Sequence, residues 1–151
     1  MAIASSGLPA HRLELEITES VLLRENDANI GILHQLRMLG VRIALDDFGT
    51  GYSSLSYLRS FPLDKIKIDR SFVKELPDNT GCRTIIRAVA RLASGLDMET
   101  TAEGVETKEQ AEQVFADGCT EGQGFYFSRP VGAQDILDLL LGPKNRAGRA
   151  A

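Results

Sequence analysis

The stretch VRIALDDFGTGYSSL, residues 41–55, determines the fold class that the sequence predicts. Apolar residues alternate with other residues up to Leu45, which is typical of a β-strand with one buried face. Two aspartates follow, and the glycines and serines after them are typical of a turn. A short amphipathic helix pattern then continues through Leu58. This succession of strand, loop and helix predicts an α/β fold.

The same succession recurs on both sides of this stretch, which predicts a parallel sheet with helices outside it. Further strands are predicted at 11–18, 65–69 and 98–103, with two short strand-like pieces within 119–127. Further helices are predicted at 30–39, 84–93, 108–116 and 133–141, the last with Ile136, Leu137, Leu140 and Leu141 in the core. Five or six strands are too few for a closed (β/α)8 barrel, which typically needs ~250 residues. The predicted fold is therefore an incomplete TIM-like (β/α) barrel with mostly parallel strands and outer helices.

Length and composition indicate a single globular domain. The chain has 151 residues, of which 43% are hydrophobic and 25% charged, and its net charge is -4. The acidic balance argues against binding to nucleic acid polymers or anionic membranes. Two cysteines, no signal peptide and no apolar membrane span favour a cytoplasmic setting. We expect residues 1–11 to be a leader, 12–141 the domain, and 142–151 a basic flexible tail.

Polar residues cluster where the predicted strands end. The strand ends carry Glu16 and Glu19, Asp46 and Asp47, Lys67 and Asp69, Glu103 and Glu106, and Gln123. Parallel strands of a barrel end at one rim, so these carboxylates would repel each other without a cation. Oxygen ligands without histidine or cysteine suit Mg²⁺, Mn²⁺ or Ca²⁺. Together with a lumenal lysine they predict metal-assisted hydrolysis of a phosphate ester.

Each of these residues also has a structural interpretation. Asp46 and Asp47 are compatible with a turn at a strand end, and Glu19 with charges at a helix start. Lys67 is compatible with an exposed strand lysine, and Gln123 with a structural hydrogen-bonding role. The joint placement at successive strand ends favours the metal site.

Five segments, in order, resemble motifs of the EAL-domain family of cyclic di-GMP phosphodiesterases. They are LEITES (15–20), DDFGTGYSSL (46–55), IKIDRSFV (66–73), AEGVET (102–107) and QGFYFSRP (123–130). The resemblance covers about residues 12–141 and implies hydrolysis of cyclic di-GMP to linear pGpG in the bacterial cytoplasm.

The resemblance also implies roles for individual residues. The implied ligands of two Mg²⁺ or Mn²⁺ ions are Glu16, Asp46, Asp47 and Glu103. Lys67 would position or polarise the attacking water, and Glu103 would act with it in catalysis. Glu19 would brace the loop from Asp47 to Tyr57, which in the family couples the site to dimerisation. The residues expected to line the substrate site or the loop are Asp69, Glu106 and Gln123.

One part of the family pattern is missing from this sequence. There is no Glu-Ala-Leu segment, no phosphate-binding arginine after it, and no asparagine ligand from a further strand. We therefore expect the chain to start within the domain and the isolated chain to be inactive. Unpaired sheet edges or the loop from Asp47 to Tyr57 are expected to favour a homo-oligomer. The alternative function is a non-catalytic module for cyclic di-GMP binding or assembly.

Overall fold

The fold is a parallel sheet with helices, as the sequence predicts. A computed structural model describes residues 5–19, 27–49, 51 and 55–141. One five-stranded sheet has its strands in chain order, and every neighbouring pair is parallel. The strands are β1 (Glu14–Thr18), β2 (Arg42–Phe48), β3 (Lys65–Ile68), β4 (Glu99–Glu103) and β5 (Glu121–Gln123). The helices are α1 (Asp27–Met38), α2 (Leu55–Ser60), α3 (Arg70–Lys74), α4 (Thr80–Gly95), α5 (Lys108–Ala116) and α6 (Ile136–Leu141).

Strand alternation divides the sheet into an apolar face and a polar face. The apolar face packs under the helices and supplies much of the core, including Ile43, Leu45, Ile66, Ile68 and Ala102, all fully buried. We call the opposite side the polar face; it carries Glu14, Glu16, Arg42, Asp46, Lys65, Lys67, Glu99, Thr101, Glu103, Glu121 and Gln123. Strands β1 to β4 therefore contribute to the core and to the candidate site through successive residues.

Several element boundaries differ from the sequence prediction. Ala10–Arg12 forms a 3-10 turn, so the first strand begins later than predicted. The residue after β3, Asp69, is the N-cap of α3, a helix that the sequence did not predict. Residues 119–127 form one strand rather than two, because the chain turns at Gly124 and Tyr126 donates its N–H to the carbonyl of Val105.

The prediction that the last helix packs into the core is wrong for the side chains that the structure describes. Ile136, Leu137 and Leu140 are 41%, 45% and 76% exposed. The structure does not describe the side chain of Leu141. The predicted tail at 142–151 lies wholly outside the described residues, as do residues 1–4, Thr50 and 52–54 of the other predicted segments. An amphipathic pattern identifies an apolar face but not the surface against which it packs.

A buried carboxylate joins α4 to the end of α5. The side chain of Asp117 is fully buried and accepts hydrogen bonds from Arg83 at 3.1 Å, Arg87 at 2.6 Å and Gln113 at 2.8 Å. Burial raises the pKa of Asp117, but these donors outweigh it and hold the pKa below its ordinary value.

None of the described helices is both long and apolar enough to cross a lipid bilayer.

Candidate metal centre

Lys67 lies at the centre of the polar face and binds three of the predicted site residues. Its Nζ is 2.7 Å from Glu16 Oε1, 2.9 Å from Asp46 Oδ1 and 2.8 Å from Glu103 Oε1. The three carboxylates come from β1, β2 and β4, and only 7% of the lysine side chain is exposed. An ammonium group has three N–H donors, so these contacts occupy all of them. The predicted burial of Lys67 among carboxylates is confirmed.

Asp47 joins the cluster because β2 is irregular at its end. Neighbouring strand residues normally point to opposite faces. The pairing of β2 with β3 shifts between Leu45 and Phe48, and Asp47 has a left-handed backbone with φ 54°. A bulge of this kind redirects a side chain. As a result, oxygens of Asp46, Asp47 and Glu103 lie within 4.8 Å of one another.

The donor set fits a hard divalent cation. It consists of carboxylate oxygens alone, which suits Mg²⁺, Mn²⁺ or Ca²⁺ rather than zinc. Glu16 adjoins this group through the shared contact with Lys67. The four carboxylates and the Lys67 ammonium together carry a formal charge of about three negative units. A divalent cation would reduce this charge.

The surroundings shift the ionisation of two site residues. Burial lowers the pKa of Lys67, but hydrogen bonds to Glu103, Glu16 and Asp46 outweigh this effect and raise it above its ordinary value. Burial raises the pKa of Glu103, although Lys67 acts in the opposite direction. Lys67 therefore stays protonated, and Glu103 holds a proton more readily than an exposed glutamate.

Glu19 lies beside the predicted loop rather than in the carboxylate cluster. Its side chain is 95% buried, and Oε1 accepts the N–H of Gly49 at 2.9 Å. A Cβ at Gly51 would lie 2.2 Å from Glu19 Oε2, so any larger residue at this position would require the Glu19 carboxylate to shift. Glu19 thus accepts a hydrogen bond from Gly49 and lies beside Gly51 in the described part of the loop.

The remaining predicted residues lie in cavities around the cluster. Gln123 lines a cavity of about 450 Å³ with Glu16 and Lys67, and a second one of about 270 Å³ with Glu103 and Glu106. Gln123 and Glu106 therefore lie on the same side of the sheet as the carboxylate cluster, where the strands end.

Asp69 has a different position, because its side chain caps α3. Its Oδ1 accepts the N–H of Ser71 at 2.9 Å. Burial raises the pKa of Asp69, but the hydrogen bonds from Ser71 outweigh it and lower the pKa overall. Asp69 lines a further cavity of about 580 Å³, which it shares with Glu106.

Sequence reasoning missed Arg70, which lines both of the cavities next to Glu106. A Cβ at Gly104 would lie 2.6 Å from Arg70 Cβ, so glycine lets this arginine lie close to β4. The available signal was its position directly after the β3 strand end.

Comparison with known proteins gives one family. The family model described as EAL domain matches residues 1–130. An uncharacterised protein, y4lL of Sinorhizobium fredii (strain NBRC 101917 / NGR234), is 52% identical over 139 residues, which are 92% of this chain and 17% of the relative. The bifunctional diguanylate cyclase/cyclic di-GMP phosphodiesterase MucR of Pseudomonas aeruginosa is 46% identical over 136 residues, which are 90% of this chain and 20% of the relative.

Solved structures agree with that family. The MucR phosphodiesterase in complex with cyclic di-GMP has a TM-score of 0.83 and 43% identity, over 89% of this chain and 55% of the solved chain. BlrP1 of Klebsiella pneumoniae, as a manganese and cyclic di-GMP complex, has a TM-score of 0.80 and 36% identity, over 85% of this chain and 33% of the solved chain. Of the two curated relatives named above, y4lL and MucR, the chain spans about a fifth of the length.

Proposed function

The chain belongs to the EAL domain family, and we propose that it supplies the metal-binding part of a cyclic di-GMP phosphodiesterase site. The observation that carries this proposal is the convergence of Asp46, Asp47 and Glu103 beside Lys67. Solved relatives that contain cyclic di-GMP, one of them with manganese, support the choice of substrate. The reaction is hydrolysis of one phosphodiester bond of cyclic di-GMP to give linear pGpG.

The proposed ligands of two Mg²⁺ or Mn²⁺ ions are Glu16, Asp46, Asp47 and Glu103. When bound, such ions make water more acidic and neutralise charge on a phosphodiester. Glu19 would hold the loop beside Asp47 through Gly49 and would not itself be a ligand. Gln123 and Glu106 would line the space for substrate, and Asp69 would shape it from the start of α3.

Lys67 and Glu103 are the proposed catalytic residues. Since all three N–H groups of Lys67 already bind carboxylates, the lysine must release one of them to orient the attacking water. Glu16 is the carboxylate most ready to leave, because its side chain is 47% exposed. Glu103 would accept a proton from the water, since its carboxylate lies 2.8 Å from the Lys67 ammonium that orients that water.

The isolated chain is proposed to have little phosphodiesterase activity. Its sequence has no Glu-Ala-Leu segment and no arginine after such a segment to hold the substrate phosphate. The absence of these parts of the family pattern also favours the alternative, a module that binds cyclic di-GMP or assembles without turnover.

Association with a second chain is a separate proposal. Among the described residues, β1 and β5 each pair on one side, which leaves two sheet edges. Two copies would associate through these edges or through the loop from Asp47 to Tyr57. Light scattering over a range of concentrations tests this proposal, and a monomer at every concentration would contradict it.

Metal binding can be tested with two matched variants. Asp47 and Asp97 are the non-glycine residues with positive φ among those that the structure describes, at 54° and 58°, and asparagine tolerates this conformation well. We expect Asp47→Asn to weaken Mn²⁺ binding by about tenfold, since ligand charge sets affinity. Asp97→Asn should leave it unchanged. Electron paramagnetic resonance of free Mn²⁺ measures both, and equal affinities in the two variants would contradict the assignment of Asp47.

Turnover decides between enzyme and binding module. The chain is incubated with cyclic di-GMP and Mn²⁺ while chromatography follows pGpG, and calorimetry measures nucleotide binding. Binding without product supports the proposed inactivity of the isolated chain. Rapid pGpG release would contradict that inactivity, and the absence of both binding and product would contradict the alternative of a module that binds cyclic di-GMP.

A further inference from the structure

A second charged cluster lies on the polar face, one layer below the metal centre. We call it the base layer; it consists of one residue at the start of each strand: Glu14, Arg42, Lys65, Glu99 and Glu121. Arg42 binds Glu99 and lies 3.6 Å from Glu14. The five side chains of the base layer together carry a net charge of one negative unit. The proposed reaction uses none of these residues.

Lys65 connects strands that are not neighbours in the sheet. Its Nζ is 3.1 Å from Glu14 Oε2 on β1 and 2.7 Å from Glu121 Oε2 on β5. These are the edge strands of the described sheet, and two further strands besides β3 separate them. The ammonium is well enclosed, with 8% of the side chain exposed, and Thr101 donates a second hydrogen bond to Glu121 at 2.9 Å. Lys65 on β3 thus binds a carboxylate of each edge strand.

The residues that Lys65 joins lie two positions before residues of the candidate site. Glu14 precedes Glu16 on β1, and Glu121 precedes Gln123 on β5. Residues two apart in a strand share a face and lie about 7 Å apart. A strand is stiff over that length, so the distance between the edges in the base layer sets the distance between Glu16 and Gln123 above it.

We propose that Lys65 is a positioning residue for the metal centre: it fixes the separation of β1 and β5 and so places Glu16 and Gln123 around Lys67. This inference rests on the proposed function of the upper layer. Without Lys65, three carboxylates would face each other with Arg42 as the remaining base-layer cation. Their repulsion would separate the edge strands. Residues that orient metal ligands without touching the metal typically affect metal affinity by 10–100-fold.

The test compares Lys65→Met with Lys65→Arg and with a remote control, Arg87→Met. Arg87 also binds a carboxylate, that of the buried Asp117, but it lies on α4. We expect Lys65→Met to weaken Mn²⁺ binding by about tenfold or more. Lys65→Arg should restore most of the affinity because it keeps the charge. Arg87→Met should reduce stability without changing Mn²⁺ affinity.

Hydrogen exchange of backbone amides gives a readout that needs no metal. Lys65→Met should accelerate exchange in β1 and β5 more than in β2 to β4, whereas Arg87→Met should not. Glu121→Gln is a milder variant that removes the charge from one of the two edge contacts, and it should produce the same pattern to a smaller extent if Lys65→Met does not fold.

The outcomes separate the two proposals. Unchanged exchange at the edge strands in Lys65→Met and Glu121→Gln would overturn the role of Lys65, whether or not Mn²⁺ binds. Faster edge exchange with unchanged Mn²⁺ affinity would also overturn it, because the site would then not depend on the edges. A wild-type chain that binds no Mn²⁺ would contradict the proposed function, while the exchange at Glu16 and Gln123 would still decide whether Lys65 places them.

Discussion

Gly124 is the position where one added methyl group should separate β5 from the site. This glycine directly follows Gln123 and faces the backbone of Val105. A Cβ in the present geometry would lie 2.1 Å from Val105 O and 2.4 Å from Val105 N. Ordinary carbon contacts begin near 3.4 Å. Since the obstacle is backbone and not the end of a flexible side chain, Gly124→Ala requires the two segments to move apart by more than one ångström.

The cost follows from the hydrogen bonds at that contact. Val105 donates its N–H to Gln123 O at 3.0 Å and accepts the N–H of Tyr126 at 3.0 Å. Val105 is fully buried, so neither group can turn to water. A buried polar group left unsatisfied costs about 1–3 kcal/mol. With partial relaxation we expect Gly124→Ala to lose about 3 kcal/mol, or roughly 6–12 °C in melting temperature for a chain of this size.

The assay is urea unfolding followed by circular dichroism, with Gly95→Ala as the matched control. Gly95 is the last residue of α4, and a Cβ there would meet nothing within 4 Å. Alanine favours helix over glycine by up to about 1 kcal/mol, so Gly95→Ala should be neutral or slightly stabilising. A Gly124→Ala variant within about 0.5 kcal/mol of wild type, the usual range of neutral substitutions, would refute the reasoning.

Three further predictions concern a buried ion pair, the two thiols and a proposed ligand. Asp117→Asn should cost about 2 kcal/mol of stability at pH 7, a loss limited because Arg87 and Arg83 are partly exposed and regain water. Because the pKa of Asp117 is lowered in the folded chain, the difference should shrink as the pH falls below the ordinary value of 3.8. An equal loss at pH 3 and pH 7 in urea unfolding would contradict this prediction. Ellman's reagent should react faster with Cys82 than with Cys119, since Cys119 is 5% exposed and burial raises its pKa to about 11. Equal rates for the two thiols in the folded chain would show that Cys119 is accessible. Where the chain is joined to the rest of an EAL domain, Asp46→Asn should abolish pGpG release in a turnover assay, and near-normal rates would remove Asp46 from the metal centre.

Local patterns predict the sheet well because each strand carries its own evidence. Alternation in Ile66-Lys67-Ile68 identifies both the strand and its two faces, and the structure buries both isoleucines in the core. The same alternation places Lys67 on the face where carboxylates of other strands meet. Parallel strands end on the same side of the sheet, so the convergence of Glu16, Asp46 and Glu103 follows from the topology.

The features that the sequence does not predict depend on contacts between distant segments. Helix α3 has five residues, too few for a helical period to be recognised, and Asp69 caps it instead of continuing β3. The redirection of Asp47 depends on a shift in register against β3, and no residue pattern within β2 reports that shift. Lys65 looks like an ordinary strand lysine until β1 and β5 are brought to either side of it.

The alternation of the strands also couples the stability of the domain to its chemistry. Ile66 and Ile68 are fully buried on one face of β3, while Lys67 between them binds three carboxylates on the other. A packed core tolerates little displacement, so the isoleucines hold the lysine backbone fixed from behind. The repulsion among the carboxylates is thus opposed by Lys67 in front and by core packing behind. The four proposed ligands lie on strands rather than on free loops, because only a rigid sheet keeps like charges this close before a cation binds.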